Sequence, residues 1–425
     1  MDAKSAHNSL KTKTNPAGIG AIHKVAGLFA GVGGLEVGLH RAGHRTNILC
    51  ENEPGAASVL EKRFRGIDLH DDVRTLGSIS SDTTLLCGGF PCQDLSQAGR
   101  TKGIQGTRSS LVGEIFRLLE KQRTPWVFLE NVPFMLQLGR GQAMQLITSA
   151  FEELGYRWAY RVIDALSFGL PQRRRRVYLI ASTEADPRSV LFADEAVPRL
   201  SNQESWRSVA CGFYWTEGTR GLGWAEDAVP TLKGGSTIGI PSPPAIVLPS
   251  GEVVTPDIRD AERLQGFRTD WTKPAERIVR PSRRWLLVGN AVSVPVAAWI
   301  GRRLSKPGEP KEYELRRARD EHDWGTAGWN TGDGRCVVNA SEWPVVRKRK
   351  SLTSFLRYPG KALSVKATRG FLSRAYKSSL KFPPSFLQLL ERHAARMERG
   401  VELRETKLSQ ESVSSESLVQ QSTSG

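Results

Sequence analysis

From Lys24 onward, short apolar runs alternate with longer amphipathic stretches. Val25 to Phe29, Asn47 to Cys50, Thr84 to Cys87, Trp126 to Leu129 and Val177 to Ala181 have the length and composition of buried strands. Leu35 to Arg41, Ser110 to Lys121 and Ala143 to Leu154 instead repeat their apolar residues at helical spacing. This alternation predicts an α/β fold on a doubly wound, mostly parallel sheet. Ligands of such sheets bind beyond the carboxyl ends of the strands, so polar residues just after each strand are the first candidates for chemistry.

The pattern breaks between Ser182 and Thr255, where Gly, Pro, Trp and short runs such as Ala245 to Leu248 replace it. An inserted, irregular β-rich domain is expected over 182–255. Helical spacing returns at Ile258 to Gln265 and Val294 to Leu304, so 256–304 is read as a return to the domain begun at 24–181. Residues 1–23 are expected to be a mobile N-terminus, 305–406 a basic accessory region of uncertain fold, and the Ser/Gln/Glu-rich 407–425 a disordered tail.

Charge narrows the partner. The 425 residues carry a formal net charge of +16, and no apolar run approaches the length of a bilayer span. A polyanion, nucleic acid above all, fits that surplus better than a membrane does, with a merely basic soluble enzyme as the alternative. The stretch from Trp343 to Leu390 holds no acidic residue, and its cations interleave with Phe355, Tyr358, Phe371 and Tyr376. It reads as either a DNA-binding accessory region or a solvated basic face. Five scattered cysteines with no CxxC pair suit a reducing, cytoplasmic setting. His40 and His44 bracket a helix ending rather than a metal cluster, and no metal is expected.

Three strand ends carry the chemistry. The first strand runs into Phe29-Ala30-Gly31-Val32-Gly33-Gly34, a glycine turn where main-chain amides and a helix N-terminus can approach a ligand. Glu53, about 20 residues on, has the position of an acid that bonds ribose hydroxyls. Asp72 could reach an adenine amino group. The turn is not GxGxxG, so an adenosine cofactor other than a nicotinamide dinucleotide is favoured. The strand to Cys87 ends in Gly88-Gly89-Phe90-Pro91-Cys92, where the proline fixes φ and presents the thiol on a rigid loop. The third strand ends in Glu130-Asn131-Val132, on the same rim as Cys92. In Gln172-Arg173-Arg174-Arg175-Arg176, period-two alternation separates Arg174 and Arg176 from Arg173 and Arg175, so one pair faces the site.

The order of these blocks resembles the DNA (cytosine-5) methyltransferases of bacterial type. FAGVGG looks like the cofactor block, GGFPCQDLS the nucleophile block, ENV the acid block and QRRRRVYLI the arginine block. RDAERLQGF (Arg259 to Phe267) and GNAVSVPVA (Gly289 to Ala297) are similar to the two closing blocks.

The resemblance implies the fold of S-adenosylmethionine-dependent methyltransferases and methyl transfer to carbon 5 of a cytosine flipped out of duplex DNA. Cys92 would be the nucleophile, Glu130 the acid, and Arg176 supported by Arg174 the base-oxygen contact. S-adenosylmethionine would be held by Phe29, Ala30, Gly31, Gly33, Gly34, Glu53, Asp72, Pro91 and Asn290. Gln93, Ser96, Arg108, Thr231 and Leu232 would meet DNA, the last two from the insert's common core. Pro54 and Ala291 depart from the residues usual at those places. The chain is expected to act as a monomer near the nucleoid, with a companion restriction nuclease as a possible partner. A tRNA cytosine-5 methyltransferase and a non-catalytic DNA-binding regulator remain the alternatives.

Overall fold

A computed structural model describes residues 20–91, 111–198, 206–235, 241–316 and 323–399. Cys92, Gln93, Ser96 and Arg108 therefore lie outside the described residues, as do 1–19 and the 407–425 tail.

The first sheet uses β1 (Lys24–Leu28), β2 (Arg45–Cys50), β3 (Asp68–His70), β4 (Leu85–Gly88), β5 (Trp126–Asn131), β6 (Arg157–Asp164) and β8 (Arg175–Ser182). Two later strands, β14 (Ala327–Asn330) and β15 (Cys336–Val337), complete it in the order β15-β14-β6-β8-β5-β4-β1-β2-β3. The five strands from β3 to β5 pair in parallel, whereas β8 and β14 run against their neighbours. The result is the mostly parallel doubly wound sheet that the alternation predicts. Its parallel half points β1, β2, β4 and β5 at one rim.

Helices cover both faces because their apolar stripes match the sheet. On one face α3 (Leu111–Lys121) and α4 (Gln142–Glu153) bury Phe116 and Phe151 against Trp158 and Tyr160. On the other, α1 (Gly34–Arg41) packs on α7 (Val294–Ser305) so closely that a Cβ at Gly38 would stand 2.4 Å from the Ala297 Cβ. This contact is what returns 256–304 to the first sheet. Between α1 and α3 in the chain, α2 (Pro54–Arg63) follows β2; α5 (Ile258–Leu264) and α6 (Arg284–Asn290) precede α7.

The insert forms a second sheet from β9 (Cys211–Phe213), β10 (Trp224–Glu226), β12 (Ala245–Val247) and β13 (Val253–Thr255). A two-stranded parallel ladder of β7 (Gln172–Arg173) with β11 (Val229–Pro230) ties it to the first sheet's arginine segment.

Here the structure departs from the sequence reading. The described residues of the expected accessory region 305–406 do not stand apart: β14 pairs with β6, and β16 (Lys361–Ala362) adds an edge to the second sheet. Helix α8 (Val365–Lys377) and the segment after it then fill that sheet's core, with Phe371, Phe382 and Phe386 packed on Phe213. Burying that cluster is what holds the segment, and its cations sit around an apolar anchor rather than on an independent arm.

Candidate active site

The strand ends meet in a cavity of about 620 Å³. Phe29 and Gly31 from the glycine turn line it, with Cys50, Glu51, Asn52 and Glu53 after β2, Asp71 and Asp72 after β3, Gly89 to Pro91 after β4, and Glu130 to Val132 at the end of β5. Arg174, Arg176, Gly289 and Asn290 close it.

The turn's shape is set by its backbone. Phe29 and Gly31 lie in the left-handed region at φ 51° and 55°, and Gly33, the residue before α1, at φ 81°. A Cβ on Gly33 would meet the Phe64 ring at 2.4 Å, so both conformation and space demand glycine. Ala30, Gly33 and Gly34 do not line the cavity; they build the turn. The Ala30 amide donates to the Cys50 carbonyl, and Gly34 packs against Val292.

The two acids after β2 divide their work differently from the sequence reading. Glu53 caps α2: its Oε2 accepts from the Ala56 amide at 2.6 Å, and Arg283 Nε stands 3.6 Å from Oε1. Glu51 is the acid bound to the glycine turn, accepting from the Gly31 amide at 2.7 Å and from the Glu53 amide at 2.8 Å. Burial raises its carboxyl above the usual range. Sequence reasoning missed Glu51. The signal was available, since an acid followed two residues later by a second acid and then Pro54 at a helix's first position marks the second one as the cap. Asp72 is held by Arg74, whose Nη2 donates to Oδ2 at 2.6 Å, and this bond pulls its carboxyl below the usual range.

At the far end stand Glu130 and the arginines. Arg176 Nε lies 3.1 Å from Glu130 Oε1, and both side chains are almost buried. The pair is an ion contact without hydrogen-bond alignment, so among the described residues Oε1 has no aligned donor. Burial raises the Glu130 carboxyl, with the Arg176 and Arg174 charges opposing that rise. Arg174 is fully enclosed, donating to the main-chain carbonyls of Leu232 at 3.1 Å, Gly289 at 3.2 Å and Ala291 at 2.6 Å. Burial, with the like charge of Arg176, lowers its guanidinium to about 9. Arg173 is exposed and Arg175 pairs with Glu342, so the alternate pair, Arg174 and Arg176, faces the cavity.

Thr231 and Leu232 do not line the cavity. Thr231 Oγ1 donates to the Arg173 carbonyl at 2.7 Å, and the Leu232 amide donates to Gln172 Oε1 at 2.9 Å, which fixes the insert's core strip beside the arginine segment. Cys87, 3.7 Å from the buried Glu36 carboxylate, and Cys50 have thiols raised by burial, Cys50 to about 12. Neither is an ionised nucleophile at neutral pH.

One cavity thus joins an acid-held glycine turn to a buried acid and guanidinium pair, the arrangement of an enzyme's active site. The comparisons with known proteins give that enzyme a family. Residues 23–209 match the model described as C-5 cytosine-specific DNA methylase. The chain is 47% identical over 382 residues to the Type II methyltransferase M2.BsuMI of Bacillus subtilis (strain 168), covering 87% of this chain and 97% of that one. It is also 27% identical to the Type II methyltransferase M.MspI of a Moraxella species, over 66% of this chain and 70% of that one, and 27% identical to M.Bsp6I of a Bacillus strain, over 67% and 98%. The chain belongs to the C-5 cytosine-specific DNA methylases, and it is a DNA cytosine-5 methyltransferase. Among the described residues, no helix is long and apolar enough to cross a membrane.

Proposed function

We propose that the protein transfers the methyl group of S-adenosylmethionine to carbon 5 of a cytosine flipped out of a specific duplex sequence, with Cys92 adding to carbon 6. The observation that carries this reading is the single cavity joining Gly31 and Glu51 to Glu130 and Arg176, with Pro91, the residue before Cys92, on its wall. The residues present fit the cofactor. Gly31 leaves open space where a Cβ would stand, and the Glu51 carboxylate keeps lone pairs for ribose hydroxyls beyond the two amides it accepts. Phe29, Pro91 and Asn290 supply further wall, and Asp72 the amino-group acceptor. When bound, the cofactor supplies an activated methyl group.

The chain's own residues do the rest. Carbon 5 of cytosine is a poor nucleophile, so addition of the Cys92 thiolate to carbon 6 gives the ring enamine character. Glu130, whose carboxyl burial shifts toward the protonated form, would share a proton with ring nitrogen 3 while accepting from the exocyclic amine. Arg176 keeps Glu130 oriented and, from the cavity wall, would meet the base oxygen. Arg174 acts as a brace for the strip around Leu232. After transfer, a base removes the carbon 5 proton and the thiolate leaves. Flipping the base costs roughly a few kcal/mol, offset by phosphate contacts.

We assign cofactor binding and catalysis to 24–181 with 256–304, and target reading to 182–255 together with the α8 region that completes its sheet. The relatives are DNA methylases, which favours duplex DNA over tRNA, and their Type II designation favours a companion nuclease. Gln93, Ser96 and Arg108 are assigned to DNA from the sequence motif alone. Duplex DNA carrying 5-fluorocytosine at the target tests the chemistry. A cofactor-dependent adduct that survives denaturing electrophoresis and maps to Cys92 is expected; an adduct formed equally without cofactor, or mapping elsewhere, overturns it.

A further inference from the structure

The insert's strip from Thr231 to Gly234 is locked on two sides. On the catalytic side, Arg174 holds the Leu232 carbonyl, and a Cβ at Gly289 would stand 2.1 Å from the Lys233 carbonyl carbon. A Cβ at Gly234 would stand 2.5 Å from Asn290 Oδ1. On the insert side, the partly buried Tyr214 donates its hydroxyl to the Thr231 carbonyl at 2.7 Å. Main chain clamped in this way gives the Lys233 side chain a fixed root at the seam between the chemistry and the insert.

The ammonium itself is only loosely held. Lys233 Nζ lies 4.1 Å from the centre of the Tyr214 ring and 3.2 Å from Glu217 Oε1, with the lysine side chain 35% exposed and the glutamate 20%. A partly exposed Lys–Glu pair contributes little net stability, because water screens it and two side chains must be held in one geometry. The Lys233 main chain packs on Gly289 of the cavity wall, and a carboxylate beside it opposes a polyanionic ligand, because like charges repel. The pair makes physical sense as a resting state that the ligand displaces.

We propose that Lys233 is a phosphate anchor for the target strand and that Glu217 is its resting counter-ion, exchanged for a phosphodiester when DNA enters. The inference rests on the reading of this cavity as a DNA cytosine site and adds to it a residue that no motif marks. Tyr214 contributes by keeping the ammonium over its ring face, where cations are attracted, and so limits the side-chain freedom lost on binding. Phosphates carry no base identity, so Lys233 sets affinity and register rather than the sequence read.

The test measures binding of target duplex to the full chain at several salt concentrations, beside the wild-type protein's methyl transfer to the same duplex. K233Q should weaken binding about tenfold and reduce the salt-dependence slope by about one, K233R should restore the slope, and E217Q should tighten binding about threefold. The methylated sequence should be the same in each. If K233Q leaves the slope unchanged in a folded protein, or if E217Q weakens binding as much as K233Q does, the pair is a structural brace and the proposal fails. Wild-type protein that does not methylate the duplex at all would instead overturn the underlying functional reading, so the two failures are distinguishable.

Discussion

Exchanging the acids after β2 one at a time separates two roles that the sequence alone conflated. In E51Q the side chain keeps one acceptor but turns its amide nitrogen toward either the Gly31 or the Glu53 amide, where two donors then face each other. A hydrogen bond to a charged group is worth about 1.5–3 kcal/mol, so losing the carboxylate's hold on one ribose hydroxyl should weaken S-adenosylmethionine binding by ~10–150-fold. The glycine turn, released from the Gly31 contact, adds to the loss. E53A removes instead the cap at the Ala56 amide, which costs about 1 kcal/mol of helix stability and should leave cofactor affinity within about threefold of wild type. Isothermal titration with S-adenosylmethionine, beside urea unfolding of each variant, reads both effects. Because the Glu51 carboxyl is raised by burial, its ionised form should be lost, and cofactor affinity should fall, at a pH above the usual carboxylate range. If E53A abolishes binding and E51Q retains it, the division of labour drawn from the geometry is wrong.

Other outcomes follow from the same contacts. R176M removes the guanidinium that opposes the burial-driven rise at Glu130, so the Glu130 carboxyl should rise further and kcat should drop at least ~100-fold, read as a displaced limb in the pH profile of kcat/KM; an unmoved limb refutes the pairing. Burial holds His23 near 4 against 6.5 in the unfolded chain, so unfolding takes up a proton and stability present above pH 6.5 is lost as pH falls toward 4. The loss between pH 7 and pH 4.5 should be about 2.5 kcal/mol by urea unfolding, and H23Q should flatten that dependence. Truncation after Ser305 takes β14 from β6 and the phenylalanine cluster from the second sheet, and should give an insoluble or unfolded product by circular dichroism. A soluble, cooperatively folded truncation that methylates DNA would contradict it.

What could be read from the sequence follows from how local each signal is. Helix α3 is written in the spacing of Val112, Ile115, Phe116 and Leu119, and β1, β2, β4 and β5 in apolar runs bounded by turn residues, so each was found within a residue or two. Glu130 could be placed on the rim of the glycine turn because a parallel sheet fixes which strand ends converge, whereas the arginines precede their strand and reach that rim only because β8 runs antiparallel to β5. The β6–β14 pairing joins Ala159 to Trp329 across about 170 residues, and nothing in the local period of either segment encodes that partner. Near Phe371 and Phe386 the many Lys and Arg residues dominate the composition, although the rings between them are the buried part. Glu51 is missed for a different reason: two acids sit at nearly the same offset from the glycine turn, and the sign that separates them is Pro54, which marks Glu53 as the helix cap.

The seam at Arg174 explains why the insert must be built around residues from three separated parts of the chain. A guanidinium buried without carboxylate contact is costly, and here main-chain carbonyls from Leu232, Gly289 and Ala291 meet that cost together. Loss of any one of them leaves a buried donor unpaired, worth about 1–3 kcal/mol or more for a charged group. The second sheet therefore cannot drift from the cavity wall at Asn290 without exposing that charge. A sheet so anchored still needs its far side closed, and α8 with Phe382 and Phe386 does this from the opposite end of the chain. The basic C-terminal segment is thus built into the insert's own sheet, and its cations stand in fixed register with β9 to β13, a constraint that a tethered arm could not impose.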